Sequence, residues 1–268
     1  GSSTATFSGV ISGSGGLILN GSGTQTLANV GNTYTGATVI MGGTLSVPVL
    51  ANGSVDSSIG KSSNSAANLV LSGGTLKYTG LTASTDRNFT IGNASIGLFD
   101  VTTLTTTLTF TGSAGTSSGG LTKIGSGTLK LSGSNGYTGI TKISAGVLQD
   151  GASGTISDSS AIQVGDGAIW DLNSFSETVA SIADISGNTT GSIALGSATL
   201  TINGTGTTTY SGSISGTGSI VFSGTGSTVL AGTSVVSGGY TVGAGGTFVI
   251  SDPYALGSGT LTNNGTVN

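Results

Sequence analysis

The sequence repeats itself at long range, and this repetition restricts the chain to folds that stack similar units. Residues 7–17 reappear as residues 210–220, and the offset of 203 positions persists along both copies. A third copy lies between them. The three copies occupy residues 7–47, 119–149 and 210–250. Because one unit of such an array cannot bury its apolar face alone, we expect neighbouring units to share a core.

The composition indicates an ordered chain, although 51 of the 268 residues are Gly. Hydrophobic residues make up 35% of the chain and recur at alternate positions, whereas charged residues make up 6% and Pro occurs twice. Disordered segments are usually rich in charge and Pro and poor in apolar residues. The absence of Cys excludes disulfides and thiolate metal sites. No apolar run is long enough to predict a membrane-spanning helix.

Charge is unevenly distributed along the chain, whose formal net charge is −4. Residues 1–142 contain all six basic residues and three acids, which gives +3. Residues 143–268 contain seven acids and no base, which gives −7. Two interpretations stay open: an acidic surface that binds cations or keeps the molecule soluble, and neutral drift on a sparsely charged surface. Neither half is basic enough to indicate a nucleic-acid partner.

Apolar and polar residues alternate over short stretches that are typical of β-strands, such as residues 68–71, 75–78, 128–131 and 199–202. Gly, Asn and Asp interrupt this pattern every few residues, so no helix of three turns is expected. Asn-Gly pairs predict tight corners at which a positive φ is easily adopted. Five such pairs begin at Asn20, Asn52, Asn135, Asn203 and Asn264.

An all-β chain of this kind could form an antiparallel sandwich or barrel, or a parallel β-helix. The spacing of the copies favours the β-helix, because the first and second copies are offset by 104 and then 103 residues, with further coils between them. A solenoid accepts extra coils, whereas a closed barrel does not. With roughly 20–25 residues per coil, the chain is predicted to form about a dozen coils. A ladder spacing of about 4.8 Å then gives a rod roughly 50–60 Å long.

Each coil is expected to bury inward apolar side chains, each of which stabilises the fold by about 1.5–3 kcal/mol. Lys130 has the opposite parity to Leu131 and is therefore expected to point outward. The predicted inward residues are Leu17, Leu27, Val39 and Leu45 in copy one, Leu121, Leu131 and Leu148 in copy two, and Ile220, Leu230, Val242 and Phe248 in copy three.

The second copy carries a motif of defined order and spacing. It reads Gly-Gly-Leu-Thr-Lys-Ile-Gly-Ser-Gly-Thr-Leu-Lys-Leu-Ser-Gly over residues 119–133, then Tyr-Thr-Gly at 137–139 and Ala-Gly-Val-Leu at 145–148. This motif resembles the autotransporter passenger-associated transport repeat, also called the autotransporter-associated β-strand repeat. Copy one matches it as far as Leu45, whereas copy three has Ser237 where the Tyr should stand. Two intervening stretches also read like such passengers, at residues 85–92 and 171–179.

The resemblance implies a right-handed parallel β-helix, secreted by Gram-negative bacteria through the outer membrane and displayed outside the cell. It implies that residues 1–268 form a single segment of a longer passenger. The implied partners are adjoining β-helix coils and a C-terminal translocator barrel, and the isolated segment is expected to be a monomer. The repeat is associated with folding and export, and it carries no catalytic residues to transfer.

A Gly-x-Ser-x-Gly pattern at residues 115–119 has the form of a serine nucleophile motif. Such a pattern arises easily by chance in a chain rich in Gly and Ser. The chain has no His, so the usual general base is missing. We therefore predict that the chain has no catalytic residues, and no cofactor or metal ligands.

Paired carboxylates are the remaining route to catalysis, because glycosidases use two carboxyls about 5–10 Å apart. Five acids fall within 27 residues, at Asp158, Asp166, Asp171, Glu177 and Asp184. Some of them could converge, and the same cluster could hold Ca²⁺, although no dense Asp loop of a known calcium-binding kind is present. The simpler interpretation is that these acids lie at corners and face solvent, with Asp166 in a Gly-Asp-Gly turn.

Two further features have both a binding and a structural interpretation. Trp170, the only Trp, could stack on a sugar ring, but it shares its parity with Ile162, Val164 and Leu172, which favours the core. Flat hydroxyl ladders of the ice-binding kind could form at two Thr runs, but the β-propensity of Thr explains these runs more simply. The runs are residues 105–107 and 207–209.

The sequence therefore predicts a non-enzymatic structural segment of a secreted passenger, which serves as a stalk or spacer and aids folding and export. Two alternatives stay open. The segment could be an adhesin surface that binds glycans or sister molecules, or a carbohydrate-active β-helix enzyme.

Overall fold

A computed structural model describes residues 3–187 and 189–268. These residues form parallel β-sheets stacked as a β-solenoid of about 13 turns, and their one helix is the short 3₁₀ segment Ala66–Asn68. The all-β parallel solenoid expected from the sequence is confirmed. None of the helical structure in these ranges is long and apolar enough to cross a membrane. The chain divides into two compact units, Gly1–Gly139 and Ile140–Asn268.

The described part of the first unit contains β1 (Thr4–Phe7), β2 (Leu17–Leu19), β3 (Thr24–Leu27), β4 (Thr38–Ile40), β5 (Thr44–Val47), β6 (Leu69–Leu71), β7 (Thr75–Tyr78), β8 (Ala83–Thr85), β9 (Thr90–Ile91), β10 (Ile96–Val101), β11 (Thr107–Phe110), β12 (Gly120–Ile124) and β13 (Thr128–Leu131). Within this unit the strands stack in the orders β1-β3-β5-β7-β10-β12, β2-β4-β6-β9 and β8-β11-β13. Neighbouring strands are parallel and in register, so that Leu45, Leu76 and Phe99 form one inward column.

The second unit contains β14 (Thr141–Ile143), β15 (Val147–Asp150), β16 (Ala161–Val164), β17 (Ile169–Asp171), β18 (Glu177–Val179), β19 (Ser181–Asp184), β20 (Ser192–Gly196), β21 (Thr199–Ile202), β22 (Thr207–Tyr210), β23 (Ser213–Gly216), β24 (Ser219–Phe222), β25 (Ser227–Leu230), β26 (Ser234–Val236), β27 (Tyr240–Val242), β28 (Thr247–Ile250), β29 (Leu261–Asn263) and β30 (Thr266–Val267). Its strand orders are β14-β16-β19, β15-β17-β20-β23-β26, β18-β21-β24-β27-β29 and β22-β25-β28-β30.

The core follows the predicted alternation. In β13, Leu129 and Leu131 are fully buried, whereas Thr128 and Lys130 are partly exposed, because successive side chains of a strand point to opposite faces. Most of the predicted inward residues are at most 2% exposed, namely Leu27, Leu45, Leu121, Leu131, Leu148, Ile220, Leu230, Val242 and Phe248. Leu17 is only partly buried and lines an open cavity of about 280 Å³ in the first unit.

The prediction that Val39 points inward is wrong, because the repeat is not free of gaps. Thr38 and Ile40 are the buried residues of β4, and Val39 faces outward. In copy three, Val242 is buried. Val236, also fully buried, precedes Val242 by six residues, just as Tyr34 precedes Ile40. The segment from Leu230 to Val242 is therefore one residue shorter than the matching segment of copy one, from Leu27 to Ile40. The turn after Val242 is one residue longer than the turn after Ile40, which restores the register.

The Asn-Gly pairs lie between strands as predicted, but the expectation of positive φ at these pairs is wrong. Neither the Asn nor the Gly of these pairs is among the residues with positive φ. Four of the Gly residues are instead sites of close approach, three of them to the preceding turn and one, Gly53, within its own long segment. A Cβ would collide with Asn64 at Gly53, with Thr116 at Gly136, with Ala180 at Gly204 and with Gly243 at Gly265.

Candidate functional site

The Gly-x-Ser-x-Gly segment forms turn contacts in the first unit. The Oγ of Ser117 accepts a hydrogen bond from the Gly119 amide at 3.3 Å. The Oγ of Ser118 accepts one from the Ala94 amide at 3.1 Å. Both hydroxyls therefore stabilise backbone turns, and a chain without His supplies no imidazole to activate them.

Four of the five candidate acids are exposed or partly exposed, and three of these accept hydrogen bonds from within the fold. Asp158 is exposed. Asp166 lies in an exposed turn, where hydrogen bonds from Thr190 and Thr189 lower the pKa of its carboxyl. Asp171 and Asp184 accept hydrogen bonds from the Gln149 side chain at 2.7 Å and from the Ser211 amide at 2.9 Å. In residues 3–187 and 189–268, no three acids are grouped so that they could hold a metal ion.

The fifth acid, Glu177, belongs to a buried pair that the sequence analysis missed. Glu177 is 2% exposed and Asp150 is fully buried. The Trp170 Nε1 donates a hydrogen bond to Asp150 Oδ1 at 3.4 Å, and Asp150 Oδ2 is buried without a hydrogen-bond partner. Burial and the nearby Glu177 raise the pKa of Asp150 well above its usual value. Burial also raises the pKa of Glu177 to about 7.

Two buried charges anchor loops that leave the solenoid. In the first unit, the Arg87 guanidinium donates hydrogen bonds to the carbonyl oxygens of Ala51, Gly60 and Ser62 at 2.8–3.3 Å. In the second unit, the Glu177 carboxylate accepts hydrogen bonds from the Thr155 amide at 2.8 Å and from the Ile156 amide at 3.3 Å. A guanidinium thus holds carbonyls and a carboxyl group holds amides. Both side chains therefore have a structural role.

Lys123 is a third buried charge, and it occupies a position that is apolar in neighbouring turns. It lies opposite Phe99 on β10, in the inward column that contains Leu76. Its Nζ donates hydrogen bonds to the carbonyls of Ile124 at 2.7 Å and Gly125 at 2.8 Å. Burial lowers the pKa of Lys123 to about 8. Because the ammonium group binds carbonyls of the turn that follows β12, Lys123 stabilises this turn.

Trp170 is fully buried, which confirms the core interpretation of this residue. The Thr runs do not form a broad hydroxyl array. In the first run, Thr106 is 4% exposed. In the second run, Thr207 begins a row that continues through Ser227, Thr247 and Thr266, but Thr209 lies opposite Val229.

A shallow polar groove in the second unit is a candidate for ligand contact. Its volume is about 420 Å³, and its walls include Asp158, Ser159, Asn203, Thr205 and Thr208. The residues that line it include no aromatic side chain. Hydroxyl and amide groups could bind a polar ligand there, although the stacking surface that sugars often use is missing.

The described residues thus define a β-solenoid whose recurring side chains fill the core and close the turns. The family model for the passenger-associated transport repeat matches residues 17–47 and 121–149. Over 205 residues, the chain is 45% identical to a protein named adhesin BmaC autotransporter from Brucella suis biovar 1 (strain 1330). That alignment covers 76% of this chain and 6% of the relative, so the chain spans only a small part of the relative's length. No solved structure matches the chain.

The chain thus carries passenger-associated transport repeats, and its sequence is similar to part of an autotransporter adhesin. The resemblance noted from the sequence is confirmed. Residues 17–47 and 121–149 correspond to copies one and two.

Proposed function

We propose that this chain is a structural spacer within a cell-surface adhesin passenger. The main support for this proposal is that the recurring apolar residues of the motif are buried in the core. Leu27, Leu131 and Leu230 recur at the same motif position, and each is at most 2% exposed. Because the recurring positions encode the stacking of turns, the motif specifies a scaffold.

The same stacking supports a role in folding and export. Parallel turns in register let each turn pack on the turn before it, so folding of a solenoid can propagate from one turn to the next. A chain that emerges gradually from a membrane pore could fold in this way, and the absence of Cys means that no disulfide obstructs its passage. We therefore expect a translocator barrel as a partner in the full-length protein, and display on the surface of a Gram-negative cell.

An adhesive surface is the second candidate function, and it is favoured by the similarity to a protein named as an adhesin. In this chain, the polar groove beside Asp158 and Asn203 is the surface on which a glycan could rest. A carbohydrate-active enzyme has less support. Asp166, Asp171 and Asp184 are held by separate donors, and the buried pair Asp150 and Glu177 is closed to a polymer substrate.

A replacement experiment in the full-length protein separates the spacer from the adhesive surface. The segment is either deleted or exchanged for an unrelated parallel β-solenoid with the same number of turns. Surface display is measured by antibody binding, and adhesion is measured on cultured host cells. A spacer predicts that the exchanged protein is displayed and adheres like the original, whereas the deletion variant adheres less. Normal display with lost adhesion in the exchanged protein would favour the adhesive surface.

A further inference from the structure

Asp150 is an acidic residue at a core position. It follows Leu148 by two residues in β15, and the alternation of the strand therefore directs both side chains inward. Asp150 is fully buried. Its Oδ1 receives only the long hydrogen bond from Trp170, and its Oδ2 has no partner. An ionised carboxylate in this position loses its hydration and receives only this one long hydrogen bond in compensation, so the site favours the protonated acid.

Glu177 approaches the same region from β18 and holds a loop in place. Val179, two residues later, is fully buried, and Glu177 shares its inward direction. The carboxyl group of Glu177 accepts the amide hydrogens of Thr155 and Ile156, which belong to residues 151–160, between β15 and β16. We call residues 151–160 the anchored loop. Its attachment to the sheets therefore depends in part on an acid that is itself 2% exposed.

The charged groups that shift the pKa values of Asp150 and Glu177 are all negative. Glu177 and Asp171, on β17, raise the pKa of Asp150, and Asp158, in the anchored loop, raises the pKa of Glu177. Asp171 accepts hydrogen bonds from Gln149 and Asn173. Residues 143–268 contain no Lys, Arg or His, so these residues supply no cation to pair with the two acids. Protonation is then the direct way to relieve their repulsion.

We propose that Asp150 and Glu177 form a proton-dependent latch in the second unit, which holds the anchored loop closed while the pair carries a proton and loosens the loop when both carboxyls are ionised. The latch gives this part of the solenoid a pH response opposite to that of ordinary surface carboxylates. Surface carboxylates with folded-state donors, such as Asp166, stabilise the fold when they are ionised.

The sign of the pH response follows from the raised pKa values of both acids. Between the ordinary carboxyl pKa and the raised folded-state value, the unfolded chain has lost protons that the folded chain still holds. Stability therefore falls as the pH rises through this window. For Glu177 the window ends near a pKa of about 7, and Asp150 extends the effect because its pKa is also raised.

Trp170 makes the latch directly measurable, because it is the only Trp and its indole donates to Asp150. Thermal unfolding of the 268-residue chain is followed by Trp fluorescence from about pH 4.5 to about pH 8, and hydrogen exchange is measured in the anchored loop. We expect the Trp-reported melting temperature to fall by several degrees across this range. Amide protection at Thr155 and Ile156 should decrease in parallel.

Two conservative variants and one control test the assignment. Asp150→Asn retains an acceptor for Trp170 but cannot ionise, so it should flatten the pH dependence and raise the melting temperature at the upper end of the range. Glu177→Gln retains an acceptor for the loop amides and should also reduce the slope. Asp166→Asn, at an exposed turn, should leave the fall in melting temperature unchanged.

A wild-type melting temperature that is constant or rises across this range would overturn the latch. The same conclusion follows if Asp150→Asn folds and retains the full wild-type slope. If Asp150→Asn does not fold, Glu177→Gln decides, and an undiminished slope in that variant rejects the proposal.

Discussion

Phe110 and Leu131 lie opposite each other on β11 and β13, and both are fully buried. One residue earlier, Thr109 lies opposite Lys130, and both of these side chains are partly exposed. A step of one residue along these strands therefore exchanges the core for the surface. Leu131 and Lys130 are a matched pair for testing the inward and outward assignment.

Leu131→Asp should be severely destabilising. The new carboxylate would lie against Phe110 without a partner, at a cost of several kcal/mol. Lys130→Asp introduces the same group on the outer face and should change stability by about 0.5 kcal/mol or less. Urea unfolding of both variants, followed by circular dichroism, measures the difference. Equal midpoints for the two variants would contradict the assigned register.

Arg87→Met should loosen residues 48–65, the long segment between β5 and the 3₁₀ turn. Arg87 is 1% exposed and its guanidinium donates to the carbonyls of Ala51, Gly60 and Ser62. Removing this guanidinium leaves the buried Gly60 carbonyl without its donor, whereas the carbonyls of Ala51 and Ser62 keep Thr85 Oγ1 and the Ser54 amide as donors. We therefore expect a loss of about 1–3 kcal/mol. Limited proteolysis should then cut first within residues 48–65.

The control for Arg87 is Lys61→Met in the same segment. Lys61 Nζ lies 3.7 Å from Asp56, and both side chains are substantially exposed, at 44% and 51%. An exposed ion pair contributes little, so this variant should lose about 0.5 kcal/mol or less and keep the proteolytic pattern of the wild type. If both variants are cut equally fast, the hydrogen bonds of Arg87 are not what holds the segment.

The sequence predicted the parallel solenoid because alternation and repetition both come from the same stacked strands. It did not predict the register change at Val39 and Val242, since a one-residue deletion followed by a one-residue insertion leaves the flanking Leu residues aligned. Only the burial of Thr38 and Ile40 reveals the shift. Turn lengths depend on contacts between turns, which a single sequence does not display.

The buried charges were not predicted from the sequence, because acids and bases usually lie at the surface. A usable signal was nevertheless present, since each buried charge lies two residues from a buried apolar residue and shares its parity. The pairs are Arg87 with Phe89, Lys123 with Leu121, Asp150 with Leu148, and Glu177 with Val179. Parity alone cannot tell whether such a charge finds a hydrogen-bond partner, because the partners come from loops and neighbouring turns.

The chain should not hydrolyse polysaccharides, because Asp166, Asp171 and Asp184 are each engaged in hydrogen bonds within the fold and Glu177 is buried. Asp166 accepts from Thr190 and Asp171 accepts from Gln149, and both contacts serve turns or ladders. A broad glycan panel, assayed for released reducing ends, tests this prediction. Reproducible cleavage that disappears in Asp166→Asn or Asp171→Asn would establish an enzyme. Binding without cleavage would instead support the adhesive surface.

Gly204 and Gly206 offer a test of close packing between turns within one corner. A Cβ on Gly204 would collide with the carbonyl oxygen of Ala180, whereas a Cβ on Gly206 would meet nothing within 4 Å. Neither residue has a positive φ, so backbone strain does not distinguish them. Gly204→Ala should therefore destabilise the second unit by about 1–3 kcal/mol through overpacking.

Gly206→Ala is the matched control and should stay within about 0.5 kcal/mol of the wild type. Urea unfolding monitored by circular dichroism provides the comparison, because the two variants add the same methyl group two residues apart. The cost at Gly204 arises from the neighbouring turn, since the clash is with the Ala180 backbone, which is also near the polar groove. Equal stability of the two variants would show that the turns can separate at this corner without cost, and that the Gly of the Asn-Gly pair is not required for their close approach.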